Sequence, residues 1–503
     1  MKKIHINNFF ILGGKIYTVI LSIALLPRLL EHLGSEQYGL IGSFVVLQTC
    51  IQVLDAGVSG TLTRQSIITQ KNYFSFFEFV KKAKVVLLFF VIVALIVAVL
   101  GFEISGRYAD KWFNSTLEPS LLSYSATLMF FITAARFLQG PFRSILLSYE
   151  SHKLLAIIDM VYATINGPLI VFCLLKFDGD ITYYFNFQLF AVLGVLFFVM
   201  LCTWNLTDKK LKTLESLPSN NDGIIETSLN KVLRFGFRLS ILSMLWVVVN
   251  QSDKLVLTKY MPLSEYAFYA IAISLIAVLS IFSSTMVQTV RPRFTHFFSE
   301  KNHKEMSTLL RSTIISLTTI LTPLVIFLIV FGHVVIEVWT GDPKVADQVM
   351  NYFPYLLVGS YFVALSEISF ILLYASGDLK SHTRFYTLAS MVIIPLNIYI
   401  ASEFLGLGSS KLFMLINIFI FMVWSSYNIR KFFYGALKLL LMSGVISAII
   451  SIIIVSALSS LLVKWSASTL FIPVVLGMVS VALSYLVMTN CISKTTIKYR
   501  SYN

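Results

Sequence analysis

Fourteen apolar runs of roughly membrane-spanning length follow one another through this chain, and that recurrence constrains its fold more than any motif. A helix rising ~1.5 Å per residue needs about 20 apolar residues to cross a hydrocarbon core. The runs cover 8–30, 38–60, 83–101, 121–142, 154–176, 182–204, 236–257, 266–290, 312–336, 355–375, 385–402, 412–429, 437–462 and 468–491. A soluble chain of 503 residues would carry about a quarter charged residues, whereas here 13% are charged and 57% hydrophobic. The expected fold is an all-α polytopic membrane protein of about 14 transmembrane helices.

Charge gives the orientation. With a cytoplasmic N-terminus, 28 of the 39 Lys and Arg fall in cytoplasmic ends and loops and 9 on the opposite side. That bias follows the positive-inside rule and places both termini in the cytoplasm. The net charge of +14 is therefore a topology signal. A nucleic-acid footprint would need a basic face on a soluble module, and no nucleic-acid partner is expected. The basic start, MKKIHINNFF, leads into a retained first helix: Lys15 interrupts its apolar run and no small-residue cleavage site follows. Cys50, Cys173, Cys202 and Cys491 fall in or beside apolar runs, with no metal-ligand spacing and no disulfide framework.

The first two runs, within residues 8–64, form a hairpin whose turn, HLGSEQYGL, carries Gly34 and Gly39 around Tyr38. A shift of 228 residues lays SEQYGLIG (35–42) beside LSEYAFYA (263–270), matching Tyr38 to Tyr266 and Gly39 to Ala267. Six apolar segments separate the copies, so both keep one orientation, as parallel repeats of a two-lobed transporter would. The longest loop, roughly 205–235, is polar and basic and lies where a linker between halves belongs.

Charges inside apolar runs are costly and mark solute or ion pathways. Lys15 lies about two turns into the first run; Arg136 lies in the fourth and Arg143, seven residues on along the same helix face, at its cytoplasmic end, with Gln139, Gly140 and Pro141 between them. Pro141 is expected to loosen the local ladder, as where backbone lines a cavity. Arg64 ends the second run on the same side. Four cations thus converge on the cytoplasmic half of the first lobe and suit a multiply charged anion entering from the cytosol, since guanidinium forks match phosphate oxygens well. Snorkelling to headgroups is the competing role, strongest for Arg64 and Arg143. Among embedded acids, Asp55 and Asp159 suit charge pairing, and Glu367, near the middle of the tenth run, suits ion coupling. Asp253 and Lys254, beside Asn250 and Gln251, form a polar knot suited to a gate or a local ion pair.

Enzyme signatures are poor. Asp178-Gly179-Asp180 has the Asp-x-Asp pattern of sugar transferases but sits in a short outer loop, where two acids around glycine are ordinary turn chemistry. There is no HExxH, no Gly-rich phosphate loop with lysine and no GxSxG. No enzyme activity, cofactor or metal is expected.

The N-terminal LLPRLLEHLGSEQYGLIGSFVVLQ and LDAGVSGTLTR resemble bacterial polysaccharide exporters, the Wzx-type O-antigen flippases. LRFGFRLSILSMLWVVVNQSDKLVLTKYMPLSEYAFYAIA is similar to that family's second-lobe start, with Asp253 at its aspartate position and Lys254 where arginine is common. The resemblance implies two pseudo-symmetric six-helix lobes around a central cavity, 1–205 and 236–430, joined by the loop 206–235 and followed by two further helices in 431–503. It implies a lipid-linked oligosaccharide, on undecaprenyl diphosphate, moved from the cytoplasmic to the periplasmic leaflet of the inner membrane by alternating access. Membrane lipids, a polysaccharide polymerase and the chain-length machinery are the implied partners. A drug or cation exporter of the same superfamily would favour an anionic cavity, and a lipid II flippase would share the chemistry with a different sugar. A membrane-embedded glycan polymerase or ligase would show a long catalytic outer loop.

Overall fold

The computed structural model describes residues 2–70, 72–216, 229–462, 483–484, 486 and 497–499. The chain is a multi-pass all-α protein: among the described residues, nine helices are long and apolar enough to cross a membrane. Thirteen of the fourteen expected segments lie on described helices; most of the fourteenth, 468–491, lies outside the described residues.

The first two segments form one long element, α1 (Lys2–Thr69), broken only at Gly34, whose φ of 74° is left-handed and open to glycine at little cost. The expected multi-residue turn is therefore a one-residue kink. Segments eleven and twelve likewise merge in α12 (Leu379–Ile420), across a kink at Leu405. Helices also outrun their apolar stretches. α2 (Tyr73–Trp112) continues over an Arg107–Glu103 pair at 2.9 Å, and α6 (Ile181–Glu215) over Lys212–Asp208 at 2.8 Å. Such i,i+4 pairs support exposed helix once the apolar run has ended, so much of the expected 205–235 loop is helical at its start. A short helix, α10 (Pro343–Met350), was not visible as an apolar run; Asp342 caps it, accepting from the Lys344 N–H at 2.8 Å, and proline opens it.

The described chain divides into two compact units, Met1–Ala267 with Tyr386–Tyr399, and Phe268–Phe385 with Ile400–Asn503. In the first, α2 packs on α3 (Pro119–Ser148), with Phe90 and Phe137 stacked at 4.8 Å between centroids. A Cβ at Gly101 would come within 2.3 Å of Phe130, so this glycine lets the two helices close up. Lipid gives little hydrophobic reward for helix association, which makes such close packing the main cohesion. α1 packs chiefly on α7 (Leu229–Tyr260), which is why α7 joins this unit.

One end of the first unit is fastened by the turn around Gly34. His32 Nε2 donates to the Gly179 carbonyl at 3.0 Å, and Gln37 Oε1 accepts from the Ile181 N–H at 2.9 Å. The Glu36 carboxylate accepts from Ser115 Oγ at 2.8 Å and from the Thr116 N–H at 2.6 Å. Gly39 lies against Leu263, whose carbonyl oxygen would be 2.3 Å from a Cβ there.

In the second unit, α9 (His303–Thr340) packs on α14 (Ala436–Leu462). Ser443, Ser447 and Ser451 form a buried small-residue face on α14, and Thr318 donates to Ser443 at 3.0 Å. Beside them is α11 (Phe353–Ser376), where Gly359 admits Phe413. The 228-residue shift recurs in the element ends: α2 ends at Trp112 and α9 at Thr340, α3 at Ser148 and α11 at Ser376. The Gly34 kink corresponds to Pro262, in the break between α7 and α8 (Leu263–Ser299).

Candidate functional site: a cationic pocket in the first unit

A cavity of about 370 Å³ opens among α3, α4 (His152–Thr164) and α6, lined by Arg136, Gln139, Gly140, Arg143, Asp159 and Tyr162, with Phe137 and Val195 at its wall. The seven-residue spacing of Arg136 and Arg143 puts both on the α3 face turned to it. α3 runs as continuous helix through Pro141, so the expected loosening does not break it. Gln139 instead fixes α3 to α6, its Nε2 donating to the Val192 carbonyl at 3.1 Å.

The two arginines are held differently. Arg136 Nη1 donates to Gln48 Oε1 at 2.9 Å, Nη2 donates to the Tyr162 hydroxyl, and the guanidinium carbon stands 4.8 Å from the centre of the Tyr162 ring. These neutral partners position the cation without cancelling its charge. Arg143 pairs with Asp159 at 2.5 Å, and the Asp159 side chain is 47% exposed. An entering anion can displace so exposed a carboxylate. The pocket therefore carries one guanidinium without an acidic partner beside an exposed Arg143–Asp159 pair, a set of forked donors of the kind that matches phosphate or carboxylate oxygens.

The structure thus brings Arg136, Arg143 and Asp159 together. Arg64 is exposed and does not line the cavity, although neighbouring Thr63 donates to the Ser144 carbonyl at 3.0 Å. Lys15 and Asp55 lie on α1, but their side chains lie outside the described residues; Gly14, beside Lys15, packs on Ala156 of α4. Asp253 and Lys254 are buried on α7 as a pair at 3.2 Å, and Lys254 also donates to the Asn250 carbonyl at 2.7 Å. Glu367 belongs to the second unit, half-buried on α11 and interacting electrostatically with Arg291. Gln48 and Tyr162 were missed from sequence. Tyr162 follows Asp159 by three positions, so it shares that acid's face of α4, a signal the sequence did offer. Just beyond it α4 loosens into a π turn, Ile165–Leu169, a feature frequent near functional sites.

A family model described as "Polysaccharide biosynthesis protein" matches residues 5–298, more than half of the chain, and the MatE model matches residues 239–400. No curated protein matches. Among solved structures, the chain is similar to the lipid II flippase MurJ in an inward closed conformation, at 14% identity and TM-score 0.71, over 96% of this chain and 98% of that one. It is similar to an inward-facing multidrug resistance MATE family transporter of the MOP superfamily at 13% identity and TM-score 0.62, over 82% of this chain and 94% of that one. A MOP superfamily transporter from Pyrococcus furiosus, whose binding pocket is described as of reverse polarity, matches at 13% identity and TM-score 0.59, over 85% and 96%. The fold is that of these transporters and flippases, and the resemblance drawn from the N-terminal hairpin and the second-lobe start is borne out. The chain belongs to the polysaccharide biosynthesis protein family.

Proposed function

We propose that this protein is a flippase that moves an undecaprenyl-diphosphate-linked oligosaccharide, an O-antigen-like repeat unit, from the cytoplasmic to the periplasmic leaflet of the inner membrane by alternating access. The observation that carries this reading is Arg136, a guanidinium fixed in a cavity by neutral partners, beside an Arg143–Asp159 pair that can exchange its acid for a phosphate. Arg64 extends the cationic set along α1 toward the cytosol, and the buried Asp253–Lys254 pair acts as a gate. Both termini face the cytoplasm, and the two pseudo-symmetric lobes are 1–205 and 236–430.

The family match supports a polysaccharide cargo. The likeness to a lipid II flippase over nearly the whole chain supports a second reading with the same diphosphate lipid and a different sugar. A cation exporter is disfavoured by the sign of the pocket. The test is purified protein in liposomes with fluorescent undecaprenyl-diphosphate oligosaccharide, scoring loss of inner-leaflet label. Arg136→Ala should slow transport about 30-fold or more, the weight of truncating one partner of a desolvated charge pair. Full transport by Arg136→Ala at normal protein levels would sink the pocket assignment.

A further inference from the structure

The 228-residue spacing assigns a counterpart to every residue of the cationic pocket. Arg136 and Arg143 correspond to Ala364 and Ile371, both buried and neutral, while Gln139 corresponds to Glu367. The second repeat therefore loses both cations at this place and gains an acid. Glu367 makes no hydrogen bond or ion pair among the described residues, and it lies half-buried on the α11 face that also carries Phe370 and Tyr374. Arg291 faces it electrostatically without bonding to it. The guanidinium is spread over two rings, 4.9 Å from the centre of Phe370 and 5.2 Å from that of Tyr374, and its buried Nε has no hydrogen-bond partner among the described residues. Phe370 leads on to His382, 5.6 Å between ring centres, whose Nδ1 accepts from the Trp424 indole N–H at 3.1 Å.

An acid on α11 and a base on α8 that form no ion pair with each other leave two charges without a counter-ion, which is costly in an apolar setting unless a third group joins them. The chemistry of that group follows from the signs. A phosphate would be repelled by Glu367 and an organic cation by Arg291, whereas the two charges together sum to zero. A vicinal diol donates to the carboxylate and accepts from the guanidinium, and the C–H face of a pyranose lies on aromatic rings. We propose that Glu367, Arg291 and the Phe370–Trp424 wall form a site for an uncharged sugar unit, separate in chemistry from the diphosphate pocket. It rests on the lipid-linked glycan reading and assigns the glycan end its own recognition site. This role differs from the ion coupling expected of Glu367 from sequence, and the two are separated by the test below.

The test uses the whole protein in detergent and the oligosaccharide that mild acid frees from the lipid-linked glycans of the native host, which carries neither lipid nor phosphate. Its addition should quench tryptophan emission through the His382–Trp424 contact, saturably, while inorganic pyrophosphate should not. Glu367→Gln, isosteric and neutral, should raise the half-saturating sugar concentration about tenfold or more, the weight of one charge-assisted hydrogen bond. Phe370→Leu should do the same by removing the stacking face, which guards against misfolding of one variant. No quench in the wild type, an equal quench by pyrophosphate, or unchanged saturation in both variants overturns the proposal. A Glu367→Gln protein that keeps its sugar affinity but loses gradient-driven transport would also overturn it, in favour of ion coupling. Binding of bare undecaprenyl diphosphate to the wild type, measured in parallel, separates failure here from failure of the flippase reading.

Discussion

The two arginines of the pocket stand in the same cavity but in different states. Arg136 is held by the neutral Gln48 and Tyr162, and Arg143 by the exposed acid Asp159. Asp159→Asn should therefore leave a second free cation in the empty pocket. We expect bare undecaprenyl diphosphate to bind that variant more tightly, by about twofold to fivefold, the range of a partly exposed ion pair, with transport slowed by delayed release. Looser binding in a titration of the purified variant would show that Asp159 assists the anion instead of competing with it. Arg136, Arg143 and Asp159 were legible in the sequence because charge inside an apolar run stands out. Gln48 and Tyr162 were not, because an uncharged polar residue in such a run is common, and only the fold decides whether it meets a guanidinium.

At the scale of elements, helix ends and kinks were the least legible. Apolar runs mark the lipid-facing length of a helix, whereas backbone hydrogen bonding continues past it wherever i,i+4 pairs sustain it, as in the last turns of α2 and α6. The break at Gly34 looked like a loop because glycine, serine and polar residues cluster there, yet one left-handed residue suffices. Close approach at glycine gives a direct test. Gly39→Ala would drive a Cβ into the Leu263 carbonyl, whereas a Cβ at Gly60 meets nothing within 4 Å. Gly39→Ala should lower the thermal unfolding midpoint by several degrees, about 1–3 kcal/mol of overpacking. Gly60→Ala should hold or raise it, by about 0.5–1 kcal/mol of helix propensity. Equal midpoints for the two would show that Leu263 moves aside.

Across the whole molecule, eight residues of sequence similarity hinted at a repeat that the helix ends carry much further, from the Gly34 kink to Ser376. The extent was hidden because apolar residues substitute for one another freely in lipid, so the spacing persists where the letters do not. The fastening at residues 32–39 is the part of this plan most open to solution experiments. Burial alone would raise the Glu36 carboxyl, but the hydrogen bonds from Thr116 and Ser115 more than offset it and hold it below the ordinary glutamate value. A carboxyl lowered in the folded state stabilises it above the unfolded value of about 4.3, and that contribution is lost as pH falls through the folded value. Glu36→Gln should therefore unfold at a lower temperature than the wild type at pH 7 and at nearly the same temperature below about pH 4. A difference that persists at low pH would assign the loss to packing and not to charge.

That turn reaches three loops through eight residues: Gly179 and Ile181, Ser115 and Thr116, and Leu263. Fastenings that share one short rigid segment cannot yield one after another, because moving the segment strains all of them together. Separation at this end of the unit should thus be a single activated event, with one rate constant and a steep temperature dependence, and weakening any one attachment should speed the whole event without creating a half-open species.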